Sequence, residues 1–257
     1  MRDLLFLATL ILVVTQAGAT DIPLDERRSG FDFMTPQTQV MQRDDTLNPG
    51  LLWIEGGRLL WQQPARENGL SCVSCHGDGA ASMRGVAARY PAFDETSQRP
   101  IDLQGRIDQC RHDRQKAPPL APESEELLSL SAYVASQSRG MPIAPPDDER
   151  LTPFRARGRQ LFERRLGQLD LSCSQCHDGH WGQRLGGSTI PQAHPTGYPI
   201  YRLEWQGLGS LQRRFRNCLI GVRAESFDFG APDYVELELY LMARAQGLPM
   251  ETPAVRP

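Results

Sequence analysis

Lysine is almost absent from this chain: of 28 basic residues only Lys116 is lysine, and the rest are arginine. That bias reads as genomic composition, so an arginine cluster carries weight only where its setting singles it out. Excess charge is lacking as well. With 28 basic and 31 acidic residues the net charge is −3, which argues against a general polyanion-binding surface, and no nucleic-acid partner is expected. No stretch reaches the roughly 20 apolar residues that a membrane-spanning helix needs. The apolar run Leu4 to Val14 follows Arg2 and leads to Ala17-Gly18-Ala19, the pattern of a cleavable signal peptide. Cleavage is expected after Ala19, giving an exported, periplasmic protein that begins at Thr20. Its 257 residues suffice for two domains of roughly 100 residues each.

Export gives the six cysteines their meaning, because an oxidising compartment makes disulfides the first expectation. Four of them depart from it. Cys72-Val73-Ser74-Cys75-His76 and Cys173-Ser174-Gln175-Cys176-His177 are both C-x-x-C-H, the attachment sequence of c-type haem. Two thiols three positions apart share one side of a helical turn and reach the two vinyl groups of one porphyrin. The adjacent histidine then supplies the proximal iron ligand, His76 in one case and His177 in the other.

A repeat surrounds these motifs. Gly57-Arg58 precedes Cys72 as Gly158-Arg159 precedes Cys173, and Leu103-Gln104-x-Arg106-x-x-x-Cys110 matches Leu211-Gln212-x-Arg214-x-x-x-Cys218. Tyr133 with Gly140 and Pro142 matches Tyr240 with Gly247 and Pro249. The expected fold is mainly α: two tandem cytochrome c-like domains related by duplication, with an N-terminal extension. The boundaries are a signal peptide at 1–19, an extension at 20–50, haem domain 1 at 51–145 and haem domain 2 at 146–257. Helices are expected at about 51–63 and 123–138, and again at about 152–166 and 231–246, with an irregular stretch between each pair. Met141 to Pro153 has four prolines and an acidic run, and reads as a semi-rigid linker.

Each iron needs a sixth ligand. Met83, Cys110, His112 and Met141 are candidates in the first copy; His180, His194, Cys218, Met242 and Met250 in the second. Only Cys110 and Cys218 hold the same place in the repeat, so thiolate ligation of both haems is the economical reading. A Cys110–Cys218 disulfide is the alternative, open only if the two Cα atoms come within roughly 7 Å. Arg213, Arg214, Arg216 and Arg223 surround Cys218, whereas Arg106, Arg111 and Arg114 near Cys110 are matched by Asp102, Asp108 and Asp113. Fixed cations beside sulfur favour a thiolate and suit an oxyanion.

Arg214-Phe215-Arg216-Asn217-Cys218 with Arg223-Ala224-Glu225 resembles the active-site segment of the SoxA-type dihaem cytochromes of bacterial thiosulfate oxidation. Gln109-Cys110-Arg111 with Gln115-Lys116-Ala117-Pro118-Pro119 is similar to that family's first distal segment, and Asp44-Asp45 with Asn48-Pro49-Gly50 to its extension. The resemblance implies a sulfur-transferring oxidoreductase with two covalently bound haem c groups. It would form a heterodimer with a small monohaem cytochrome of the SoxX type and join thiosulfate to a cysteine of a SoxYZ-type sulfur carrier. It implies axial pairs His76/Cys110 and His177/Cys218, with Cys218 also the sulfur centre, able to persist as a persulfide, and Arg214 the substrate-anion ligand. Electrons would pass on to an acceptor cytochrome. The rival readings are a dihaem electron carrier, a dihaem peroxidase and a thiosulfate dehydrogenase that loads no carrier.

Overall fold

The computed structural model describes residues 22–67 and 69–257; the signal peptide and its cleavage site after Ala19 lie outside them. The first half runs through α1 (Pro36–Arg43), α2 (Gly50–Gln62), α3 (Cys72–His76) and α4 (Gly79–Ser82). The hairpin β1 (Ala92–Asp94) and β2 (Arg99–Ile101), then α5 (Leu103–Asp113) and α6 (Glu125–Ser136), complete it. The second half has α7 (Thr152–Glu163), α8 (Cys173–His177), a short hairpin β3 (Arg184–Leu185) and β4 (Ser188–Thr189), and the hairpin β5 (Ile200–Arg202) and β6 (Gly207–Gly209). It closes with α9 (Leu211–Gly221), α10 (Pro232–Arg244) and β7 (Ala254–Arg256), which pairs parallel to β5. Among the described residues no helix is long and apolar enough to cross a membrane.

The helices follow from their sequences. Ser124 caps α6 by accepting from the Leu127 N–H, and Glu125 and Glu126 face the positive end of the helix. Pro232 occupies the first turn of α10, where its missing N–H costs nothing. Both end about two residues earlier than the expected 138 and 246, and Gly140 and Gly247, at φ +77° and +87°, lie in the turns beyond the caps Gln137 and Ala245.

In each half the first long helix crosses the last at a glycine. A Cβ on Gly57 would lie 2.1 Å from the Ser129 carbonyl oxygen, and one on Gly158 1.9 Å from that of Glu236. Only glycine permits that approach, which brings Trp61 against Tyr133 at 5.6 Å and Phe162 against Tyr240 at 5.5 Å, each pair tilted at 57°. These aromatic pairs form the floor against which each C-x-x-C-H turn lies.

The halves are docked rather than tethered. Tyr201 and Leu208 of the second hairpin pack with Leu128 and Ala132 of α6, while β2 lies against α10. Residues 140–143, at the start of the expected linker, pair with 247–250: Ile143 N–H donates to the Leu248 carbonyl and Gly140 N–H to that of Met250. Ile143, 1% exposed, joins Ala88, Ala135, Met242 and Met250 in one cluster. The proline-rich segment is thus partly interface, because its buried backbone must find partners.

The extension is structured as well. Gln42 accepts from the Val255 N–H, Asn48 Nδ2 donates to the Pro253 carbonyl, and Phe33 meets the edge of Trp181. Residues 22–48 form a strap across the second half.

Candidate functional site

Both C-x-x-C-H segments begin short helices at their first cysteine. Ser172 accepts from the Gln175 N–H while Gln175 Oε1 accepts from the Ser172 N–H, and Ser71 N–H donates to Ser74 Oγ. Reciprocal capping fixes the turn that presents both thiols and the histidine on one side.

The two histidines differ in setting. His177 donates from Nδ1 to the Pro191 carbonyl at 2.6 Å and stacks with Phe162 at 6.5 Å and 28°. Burial lowers His177 to about 4, which keeps its Nε2 a free base, the form that can hold a metal. His76 is exposed, 5.6 Å from the Trp61 ring, and no hydrogen bond to its ring is found among the described residues.

The two remaining cysteines lie on the matched helices α5 and α9. Cys110 is coupled electrostatically to Cys72 and Cys75, and Cys218 to Cys173 and Cys176. All six cysteines are free, so each spare thiol stands by its own C-x-x-C-H segment rather than by its counterpart. Burial pushes the Cys110 thiol up, against the pull of Arg106 and Arg114.

The other histidine candidates have Nδ1 bonded, as His177 does, and all lie outside the C-x-x-C-H segments. His112 is exposed on Asp113, His180 Nδ1 donates to the Gln175 carbonyl, and His194 Nδ1 to that of Arg28. Met242 and Met250 belong to the cluster between the halves, while Met83 packs beside Cys72.

Arg214 and Cys218 are one helical turn apart on α9, and their mutual attraction is the main influence holding Arg214 cationic. Arg214 makes no salt bridge or side-chain hydrogen bond among the described residues, although it is mostly covered. Its counterpart Arg106 lies 3.1 Å from Asp94 and also donates to Gln109. The acids that sequence adjacency sets against the first cluster serve otherwise: Asp102 caps α5 through Gly105, Asp108 accepts from Leu120 N–H, and Asp113 holds His112. Asp94, brought in by the first hairpin, is the residue that sequence reading missed.

The residues fit haem c, with paired thiols, an adjacent imidazole whose Nδ1 is already committed in the second half, and a further sulfur nearby in each half. They define a c-type cytochrome with an arginine and a cysteine side by side on α9 in its second half. The SoxA/TsdA cytochrome c domain family model matches residues 56–143, and such domains carry covalently bound haem c. The L-cysteine S-thiosulfotransferase subunit SoxA of Pseudaminobacter salicylatoxidans is 36% identical over 96% of this chain and 87% of its own. That of Rhodovulum sulfidophilum is 35% identical over 90% and 81%. The crystal structure of SoxXA from P. pantotrophus superposes with a TM-score of 0.86 at 31% identity, covering 90% of this chain and 87% of that one. The chain belongs to the SoxA family.

Proposed function

We propose that this protein oxidatively joins thiosulfate to a cysteine thiol of a SoxYZ-type sulfur carrier, with α9 as the reacting face. The overall change is thiosulfate plus thiol giving a cysteine S-thiosulfonate, one proton and two electrons. The electrons leave through a small monohaem cytochrome of the SoxX type, held as a heterodimer, to an acceptor cytochrome. The observation that carries this reading is the pairing of Arg214 with Cys218: a covered cation that forms no salt bridge among the described residues and feels Glu204 only at longer range, one turn from a sulfur. A fork of N–H donors in that setting binds the sulfonate end of thiosulfate bidentately. Cys218, at the same spot, is the sulfur that accepts and releases the transferred group by exchange between sulfurs. Haem, when bound, supplies the route for electrons out of the site.

Two haems are proposed, attached at Cys72/Cys75 and Cys173/Cys176, with axial pairs His76/Cys110 and His177/Cys218. The matched order of elements supports two cytochrome c-like domains derived by duplication, at 51–145 and 146–257, with 20–50 as the extension and a signal peptide removed after Ala19. Export to the periplasm follows from that signal and from the chemistry of haem attachment.

The test is mass spectrometry of tryptic peptides from periplasmically matured protein without reductant. Asn217 to Arg223 should emerge separate from Ile107 to Arg111 and, after exposure to thiosulfate, heavier by sulfur at Cys218. Recovery of the two peptides joined, or of sulfur on Cys110 alone, refutes the assignment.

A further inference from the structure

The strap reaches the proximal side of the second site through two buried side chains. Gln192, fully buried, accepts from the Arg28 N–H at 2.7 Å and donates to the Glu26 carbonyl at 3.1 Å. Two residues on, His194 Nδ1 donates to the Arg28 carbonyl at 2.7 Å. Residues 26–28 are therefore bound from both sides by one loop, and Arg27 further ties them to the Gln246 carbonyl. The carbonyl just before Gln192 is that of Pro191, which accepts the His177 Nδ1–H at 2.6 Å. A peptide plane cannot tilt freely when the next residue is held through both polar atoms of its side-chain amide. The direction of the Pro191 oxygen is accordingly set by contacts with a segment more than 160 residues earlier in the chain.

That direction matters chemically. A stronger Nδ1–H···O bond makes imidazole a more basic ligand and favours oxidised iron; a weaker one favours reduced iron. We propose that residues 26–28 of the strap are a positioning element for His177: acting through Gln192 and the Pro191 carbonyl, they hold the second haem at a lower potential than it would otherwise have. The inference rests on the reading of His177 as iron ligand. The first half supplies an internal control, since among the described residues the His76 ring has no such hydrogen bond.

The test is an equilibrium redox titration of the two-haem protein, followed by absorbance and by electron paramagnetic resonance to separate the haems. Gln192→Met keeps the volume and removes both bonds; Arg28→Pro removes one donor and leaves the haem loop intact. At the potential where the second haem of the wild type is half reduced, Gln192→Met should raise its reduced-to-oxidised ratio about tenfold, a shift of ~59 mV. Arg28→Pro should move it the same way by less, and the first haem should stay in place in both. Variants that hold both haems yet leave the second haem unshifted overturn the proposal, as does an equal shift of both haems. Selective loss of the second haem in both variants also overturns it, in favour of a strap that only supports the fold. His177→Ala separates the premises: if the second haem keeps its low-spin signal, the ligand reading has failed, whereas its loss leaves the strap proposal to the two variants.

Discussion

The two halves use one scaffold for opposite electrostatic ends. Each crosses its outer helices at a glycine, and each places an arginine one turn before a cysteine on the helix after a hairpin. They diverge at the hairpin. In the first half Asp94 ends β1 and meets Arg106; in the second Arg202 ends β5 and bonds instead with Glu204, over the face of Trp205. Burial would raise Asp94, but hydrogen bonds from Ser97 and Gln109 and the Arg106 cation hold it below its ordinary value, so it stays an anion at neutral pH. At this one hairpin position the first half offers its arginine an acid within salt-bridge distance and the second half does not, the difference on which the proposed anion site depends. In the proposed reading haem attachment is common to the halves and substrate binding belongs to the second.

The contrast breaks first at sulfur. Cys218→Ala should lower carrier loading by about 1000-fold or more, the scale expected when a reacting group is removed. Cys110→Met should leave turnover within about threefold, while raising the potential of the first haem, as methionine ligation does. Thiosulfate-dependent conjugation measured on both variants at equal haem content decides it: comparable losses would end the division of labour. One step smaller, Arg214→Met should cost about 100-fold in kcat/KM for thiosulfate, or ~2.7 kcal/mol, carried mostly by KM. Arg106→Met should leave that constant unchanged, because its guanidinium already faces Asp94. Rebuilding the first half's charge pattern in the second gives the next effect. Arg202→Asp should offer Arg214 the partner that Arg106 has and raise KM about tenfold, ~1.4 kcal/mol; a KM that stays put would show that the hairpin does not control the site.

Much of this contrast was legible in the sequence, and the missing part has a physical cause. The haem motifs, the repeat and the outer helices carry signals that survive without a third dimension: fixed spacing in one case, an apolar stripe from Leu127 to Val134 in the other. The matched places of Cys110 and Cys218 were legible from register, while the choice between a site beside each C-x-x-C-H motif and a disulfide between them stayed open until the fold separated them. The neutralising acid could not, since Asp94 is 12 residues before Arg106 and reaches it only because β1 and β2 fold back between them. Helix α5 itself was hidden, being charged along its length with no residue fully buried. The strap was hidden for a related reason. Its anchors are Gln42, Asn48 and Gln192, polar side chains that are ordinarily exposed and here are buried because backbone groups satisfy them.

That strap also gives the halves different responses to acid. His194 is 7% exposed, and burial lowers it to about 4, helped by Arg244, Arg27 and His177 and opposed by its bond to the Arg28 carbonyl. A histidine whose folded value lies below the unfolded 6.5 binds its proton more readily when unfolded, so its contribution is present above that value and is lost as pH falls toward 4. Between pH 7 and pH 5.5 the loss should be about 1 kcal/mol, seen as a lower urea midpoint of the holoprotein and earlier proteolysis within residues 22–48. His194→Leu should weaken the strap at neutral pH and flatten this slope, while cleavage around α2 and α3 stays unchanged. A variant that keeps the full slope would place the acid sensitivity elsewhere and leave the strap a pH-indifferent clamp.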